Sequence, residues 1–165
     1  MEQVSVLRFN DLQFRMGAQQ LGVQPLHREA QQASMNPIKL LIIDEHPAVR
    51  QALVVRLRSA GHLSIVAVDD NLREGLHHAQ ELLPHIVLLG LSTRKEPPYS
   101  LIDVVRKLAA ANQGVIVLTS FVDVVEREVL LQAGARRYLL KNINSNRLIA
   151  ELEAVANEIK PEEST

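Results

Sequence analysis

Pro84-His85-Ile86-Val87-Leu88-Leu89-Gly90-Leu91-Ser92 decides how the chain folds. Ile86 to Leu89 are four apolar residues in a row, with none of the alternation of a half-solvated strand. That pattern fits a short central strand covered on both faces. It ends at Gly90 and runs into a polar loop with Pro97 and Pro98. In open α/β sheets the chemistry lies at the carboxyl ends of such strands. Here that end carries a residue with no side chain.

Around this stretch, from Ile38 onward, strands and helices alternate. Leu40 to Ile43 is an apolar run closed by Asp44-Glu45-His46-Pro47, and Pro47 suits the first position of a helix. Val49, Leu53, Val54 and Leu57 then share a helical face, with Gly61 as the expected stop. Leu63 to Val68 reads as a second strand, and Asp69-Asp70-Asn71 offers caps for a helix turning Leu76, Ala79, Leu82 and Leu83 inward. After the third strand come a helix marked by Leu101, Val104, Val105 and Leu108 and a strand at Val115 to Leu118. A helix through Val124, Val125, Val129 and Leu130 ends at Gly134. Tyr138 to Leu140 makes the fifth strand, and Ser145 is the expected cap of a last helix with Leu148, Leu152, Val155 and Ile159 on one stripe.

Five strand–helix units predict α/β architecture: a doubly wound, five-stranded parallel sheet of flavodoxin-like order 2-1-3-4-5, with helices on both faces. The expected domain spans residues 37–159. Residues 1–36 are Gln-rich and aperiodic, and read as a weakly ordered extension, with Val4, Val6 and Phe9 hinting at a docked strand. Residues 160–165 read as the start of a linker or tail.

Composition narrows the function. Lys and Arg total 18 against 19 Asp and Glu, a net charge of −1, so no global basic field is available for nucleic acid or an anionic membrane. The chain has no cysteine, which removes disulfides, thiolate metal sites and thiol catalysis. No apolar run reaches the roughly 20 residues of a membrane span. Met1-Glu2-Gln3 lacks the basic start of a secretory signal, so a cytoplasmic protein is expected.

The topology alone assembles a site. With the order 2-1-3-4-5 the switch point falls between the first and third strands, so Asp44-Glu45 and Gly90 share one crevice. Thr119 and Lys141 close strands four and five. Two carboxylates, a hydroxyl and an ammonium suit a divalent cation such as Mg²⁺ and a phosphoryl group. The plainer readings are that Asp44-Glu45 favours the positive end of the first helix, Thr119 caps a turn, and Lys141 is a surface lysine. His46 reads as packing, and His77, His78 and His85 as surface residues.

From Ile38 to about Ile159 the sequence resembles the receiver domain of two-component response regulators, the CheY-like fold. Ile42-Ile43-Asp44-Glu45-His46-Pro47-Ala48-Val49-Arg50 is similar to the opening of the NarL/FixJ-type subfamily, an acidic pair followed by His-Pro. Val117-Leu118-Thr119-Ser120 resembles the strand with the family's hydroxyl. Ala133-Gly134-Ala135-Arg136-Arg137-Tyr138-Leu139-Leu140-Lys141 resembles the segment with its switch aromatic and lysine. The resemblance implies a non-enzymatic signalling module with Thr119, Tyr138 and Lys141 as phosphoryl and switch residues and Asp44 and Glu45 as metal ligands. It implies homodimerisation, a partner protein or a sensor kinase. DNA would be contacted through a helix-turn-helix domain outside this chain, and no membrane is involved.

One position departs from the family. Receivers end the third strand in a run such as Pro-Asp-Val-Val-Leu-Leu-Asp, whose last aspartate accepts the phosphoryl group. Here Pro84-His85-Ile86-Val87-Leu88-Leu89 meets Gly90, and aspartyl phosphate formation needs a carboxylate nucleophile. The following loop, Thr93 to Tyr99, departs as well. The expectation is an atypical receiver acting through phosphorylation-independent protein contacts. Mg²⁺ would be weakly bound and not required, and Lys141 would swing toward Asp44 or Glu45. The alternatives are a phosphorelay receiver with a non-standard acceptor such as Ser92 or Thr93, and a ligand-sensing flavodoxin-like module.

Overall fold

A computed structural model describes residues 36–91 and 101–160. Residue contacts divide the chain after Asn36, and Pro37–Thr165 forms one compact unit. Expectations for residues 1–35, for the loop at 92–100 with Ser92 and Thr93, and for residues 161–165 fall outside the described residues.

Among the described residues five strands and five helices alternate: β1 (Ile38–Ile43), α1 (Pro47–Arg58), β2 (Leu63–Asp69), α2 (Leu72–Leu82), β3 (Ile86–Gly90), α3 (Leu101–Ala110), β4 (Gly114–Thr119), α4 (Val124–Gln132), β5 (Arg137–Leu140) and α5 (Ser145–Ile159). The strands form one parallel sheet in the order β2-β1-β3-β4-β5. The expected switch point therefore lies between β1 and β3.

The unbroken apolar run of β3 is explained by its place. Ile86 to Leu89 are 0% exposed, paired with Leu40–Ile43 on one side and Gly114–Val117 on the other. Leu41, Ile43, Val87, Leu89, Val115 and Val117 face α2, α3 and α4. Leu40, Ile42, Ile86, Leu88, Ile116 and Leu118 face α1 and α5, meeting Leu53, Leu57, Leu148, Leu152 and Val155. The period-two alternation thus feeds two cores, each fully buried side chain stabilising the fold by roughly 1.5–3 kcal/mol.

In β2 the register with β1 slips between Leu40 and Leu41, which pair Ile65 and Ala67, so Val66 is the extra residue of a bulge. The slip aligns Ile43 with Asp69, and the Asp44 N–H donates to the Asp69 carbonyl at 3.0 Å. Gly75 lets α2 close on β1: a Cβ there would lie 2.7 Å from Ile43 Cγ1.

Several local expectations are corrected. Asn144, not Ser145, caps α5, its side chain accepting from Arg147 N at 2.9 Å. Ser145 begins the helix and accepts instead from Arg56 Nε at 2.9 Å, tying α5 to α1; Arg56 Nη2 also donates to the Ile143 carbonyl. α1 ends at Arg58 rather than Gly61, with Ser59 as its cap. In α2, Ala79 is buried as expected, but Leu82 and Leu83 are exposed. Leu83 takes a left-handed conformation (φ 48°) that ends the helix and turns its side chain out. Along α4, Leu130 is buried whereas Val124 and Val125 are exposed.

Candidate functional site

At the carboxyl edge of the sheet, Asp44 leaves β1, Gly90 ends β3, Thr119 ends β4 and Lys141 leaves β5. The Lys141 N–H donates to the Thr119 carbonyl at 2.7 Å, extending the β4–β5 ladder by one residue. From there the lysine side chain reaches back across the sheet edge. Its ammonium donates to the Leu91 carbonyl at 3.1 Å and lies 2.7 Å from Asp44 Oδ2. Leu91 is itself anchored, its N–H donating to the Leu118 carbonyl at 2.8 Å.

Asp44 is 1% exposed and held from several directions. Oδ1 accepts from the His46 backbone N–H at 2.8 Å and lies 3.1 Å from His46 Nδ1. Oδ2 takes no aligned hydrogen bond, so its compensation is the charge of Lys141. Arg50 Nη1 donates to the Asp44 carbonyl at 2.7 Å and fixes the backbone at the start of α1. A carboxylate this deep requires a paired cation, and Lys141 supplies it.

Gly90 and Asp44 compete for one space. A Cβ built on Gly90 would overlap Asp44 Oδ2, lying 2.5 Å from its Cγ and 2.9 Å from its Cβ. The carboxylate of Asp44 thus fills the volume that a side chain on β3 would enter. The sequence brought Asp44, Gly90 and Lys141 to one crevice, and the structure joins them through Asp44. Of the two placements expected for Lys141, it adopts the one toward Asp44.

Glu45 is directed elsewhere. Its side chain is partly exposed, with Oε1 3.6 Å from His46 Nε2. The expected metal-facing pair is therefore split, one carboxylate turned in to a lysine and the other out to a histidine. Among the described residues no group of three or more His, Cys, Asp or Glu is arranged to hold a metal ion.

The Thr119 hydroxyl is engaged by its own loop. Oγ1 donates to the Phe121 carbonyl at 2.7 Å and accepts from the Phe121 N–H at 3.3 Å. Tyr138 reaches α4: its hydroxyl donates to Glu126 Oε1 at 2.8 Å and accepts from the Asp123 N–H at 3.3 Å. Partial burial, and then the Glu126 carboxylate, raise the tyrosine pKa. Thr119 and Tyr138 thus meet the same β4–α4 loop. His46, Arg50 and the Leu91 carbonyl also belong to the corner, although strand order alone does not bring them there. The signal present was Asp44 two residues before His46 at a strand–helix junction, the spacing of a side chain accepting from the backbone ahead of it.

His78 and His85 lie outside this corner. His78 Nδ1 lies 2.9 Å from Asp69, which is 8% exposed, and that hydrogen bond raises the imidazole pKa. His78 keeps 35% of its side chain exposed, on the surface as expected, while partnering Asp69 at the end of β2. His85 is largely exposed, and its Nδ1 accepts from the Lys39 N–H at 2.9 Å; partial desolvation of the ring, then Lys39, lowers its pKa.

Comparison with known proteins agrees with this architecture. Residues 40–153 match the response regulator receiver domain family. The chain is 30% identical over 122 residues to the response regulator GacA of Pseudomonas protegens, covering 72% of this chain and 55% of that protein. It is 31% identical over 117 residues to the DNA-binding response regulator MtrA of Mycolicibacterium smegmatis, covering 70% and 49%. The chain spans about half the length of these curated relatives. In fold it resembles a LuxR-family DNA-binding response regulator from Staphylococcus aureus, with a TM-score of 0.65 at 24% identity over 73% of this chain and 99% of that one. No helix of the described residues is long and apolar enough to cross a membrane. With its β2-β1-β3-β4-β5 sheet and this match over most of its length, the chain belongs to the response regulator receiver domain family of two-component signalling.

Proposed function

We propose that this receiver signals without phosphoryl transfer, through contacts with other proteins. The observation that carries the reading is the occupation of the third-strand corner. Gly90 offers no nucleophile, and the space in front of it holds the Asp44 carboxylate, already neutralised by Lys141. Thr119 and Tyr138 are engaged with the β4–α4 loop, so the residues a phosphoryl group would recruit are bound without one.

The surface supports the second half of the reading. Phe121 is 80% exposed, Val124 75% and Val125 74%, and Val122 and Val129 are exposed beside them. Grouped apolar side chains of this kind mark contact surfaces. Homodimerisation through α4 fits this patch, and transcription would be regulated through a DNA-binding domain beyond this chain, as in the DNA-binding relatives. A sensor kinase would then be a docking partner rather than a phosphoryl donor.

The test is direct. The protein is incubated with acetyl phosphate and Mg²⁺ and its intact mass is measured. The expected result is an unchanged mass; a stable adduct of about 80 Da, one phosphoryl group, means that another residue accepts it and the reading fails.

A further inference from the structure

We propose that Asp44 compensates for Gly90: from β1 it supplies Lys141 with the carboxylate that β3 lacks, and thereby shuts Mg²⁺ out of the corner. This rests on reading the domain as phosphorylation-independent and goes further, because it concerns the metal rather than the phosphoryl group.

A Mg²⁺ ion needs an octahedron of oxygens at about 2.1 Å and gives up its water reluctantly, so at least one carboxylate must be free to face it. Asp44 does not meet that condition. Oδ1 is occupied by the His46 N–H and faces the His46 ring, and Oδ2 faces the Lys141 ammonium. The ammonium stands where the cation would have to approach that oxygen, and two cations repel. Glu45 is turned to His46 and is left as a single, partly exposed carboxylate. Among the described residues the donor set therefore does not fit Mg²⁺.

Glycine is what makes the inward carboxylate sterically permitted, because any Cβ at position 90 overlaps it. Conversely, with glycine at 90 Lys141 lacks an anion on β3, and Asp44 fills that role at 2.7 Å. The glycine and the inward turn of Asp44 are intelligible only together. Adding a methyl group at position 90 should accordingly expel Asp44 toward Glu45 and recreate a two-carboxylate site.

Binding of Mg²⁺, and of Mn²⁺ as its paramagnetic probe, is measured by calorimetry and by water-proton relaxation on the full chain. Three proteins are compared: wild type, Gly90→Ala and Lys141→Met, each checked for folding by circular dichroism. The wild type is expected to show no saturable binding at millimolar metal and no Mg²⁺-dependent rise in Tm. Gly90→Ala expels Asp44 sterically and Lys141→Met frees it electrostatically, so both should bind at least about tenfold more tightly. Saturable wild-type binding that Asp44→Asn abolishes overturns the proposal. So does failure of the folded variants to gain binding. If either variant is unfolded, the wild-type measurement and the other variant decide. An 80-Da phosphoryl adduct (about that mass) would sink the phosphorylation-independent reading, whereas wild-type metal binding without an adduct would sink this inference alone.

Discussion

Lys141 Nζ stands 2.7 Å from Asp44 Oδ2, in a corner where the lysine side chain is 10% exposed and the aspartate 1%. An ion pair this buried has lost most of its hydration, so its partners depend on each other more than a surface pair would. Lys141→Met strands a buried carboxylate and should cost about 3–5 kcal/mol in a urea melt. Asp44→Asn should cost less, because the ammonium keeps the Leu91 carbonyl. The double variant should recover part of the loss, with a coupling of about 1–3 kcal/mol. Additive single costs would show that the two groups do not compensate each other.

His78 and His85 give stability opposite dependences on pH. The folded state holds the His78 proton more tightly than the unfolded chain does, through Asp69. Its contribution is complete below about 6.5, the ordinary imidazole value, and is lost as pH rises through the raised folded value. His85 is the reverse: the fold keeps the ring neutral so that Nδ1 accepts from Lys39 N–H. Its contribution is complete above about 6.5 and is lost as pH falls toward the lowered folded value. Asparagine places an acceptor near the Nδ1 position without titrating. In melts between about pH 5 and 8, His85→Asn should flatten the acidic limb of the stability curve and His78→Asn the alkaline limb. Unchanged limbs would exclude these histidines as the source.

Leu83 pays for a tight exit from α2. Its φ of 48° is left-handed, which a leucine adopts at a cost of roughly 1–2 kcal/mol, and its side chain is 66% exposed. No buried packing offsets that strain. Leu83→Asn should raise Tm by a few degrees, corresponding to about 0.5–1 kcal/mol, and Leu83→Gly should gain less because glycine also loosens the unfolded chain. A lower Tm for both would mean that the leucine makes a contact of real value.

The fold was legible because β3 and β4 are buried on both faces, so their apolar runs stand out from any helical period, and because Pro47 and Asn71 mark helix starts. The site residues were legible for a related reason: Asp44, Gly90, Thr119 and Lys141 each end a strand or directly follow one, and parallel strands align their carboxyl ends. What the pattern left open is side-chain direction. Nothing in the order of residues says that Asp44 rather than Glu45 turns inward, since that follows from the empty volume at Gly90. Ser145 and Asn144 are both good caps, and the choice between them depends on Arg56, 89 positions away. In α4 apolar residues lie on more than one face, so the sequence shows a helix without showing which side the sheet covers.

That open side of α4 makes the last prediction. Leu130 holds the helix to the sheet, while Val124 and Val125 project from its first turn beside Phe121. Their burial in a dimer would contribute roughly 1.5–3 kcal/mol per side chain, and a charge placed among them would have to be desolvated. In light scattering the protein should show a species of twice the 18.4 kDa chain mass. Val125→Glu should weaken that association at least about tenfold. Val55 is the matched control: it is 74% exposed, but on α1, which packs on the other face of the sheet. Val55→Glu should leave association unchanged. Equal loss in both variants would point to a general effect of added charge, and loss in Val55→Glu alone would move the interface to α1.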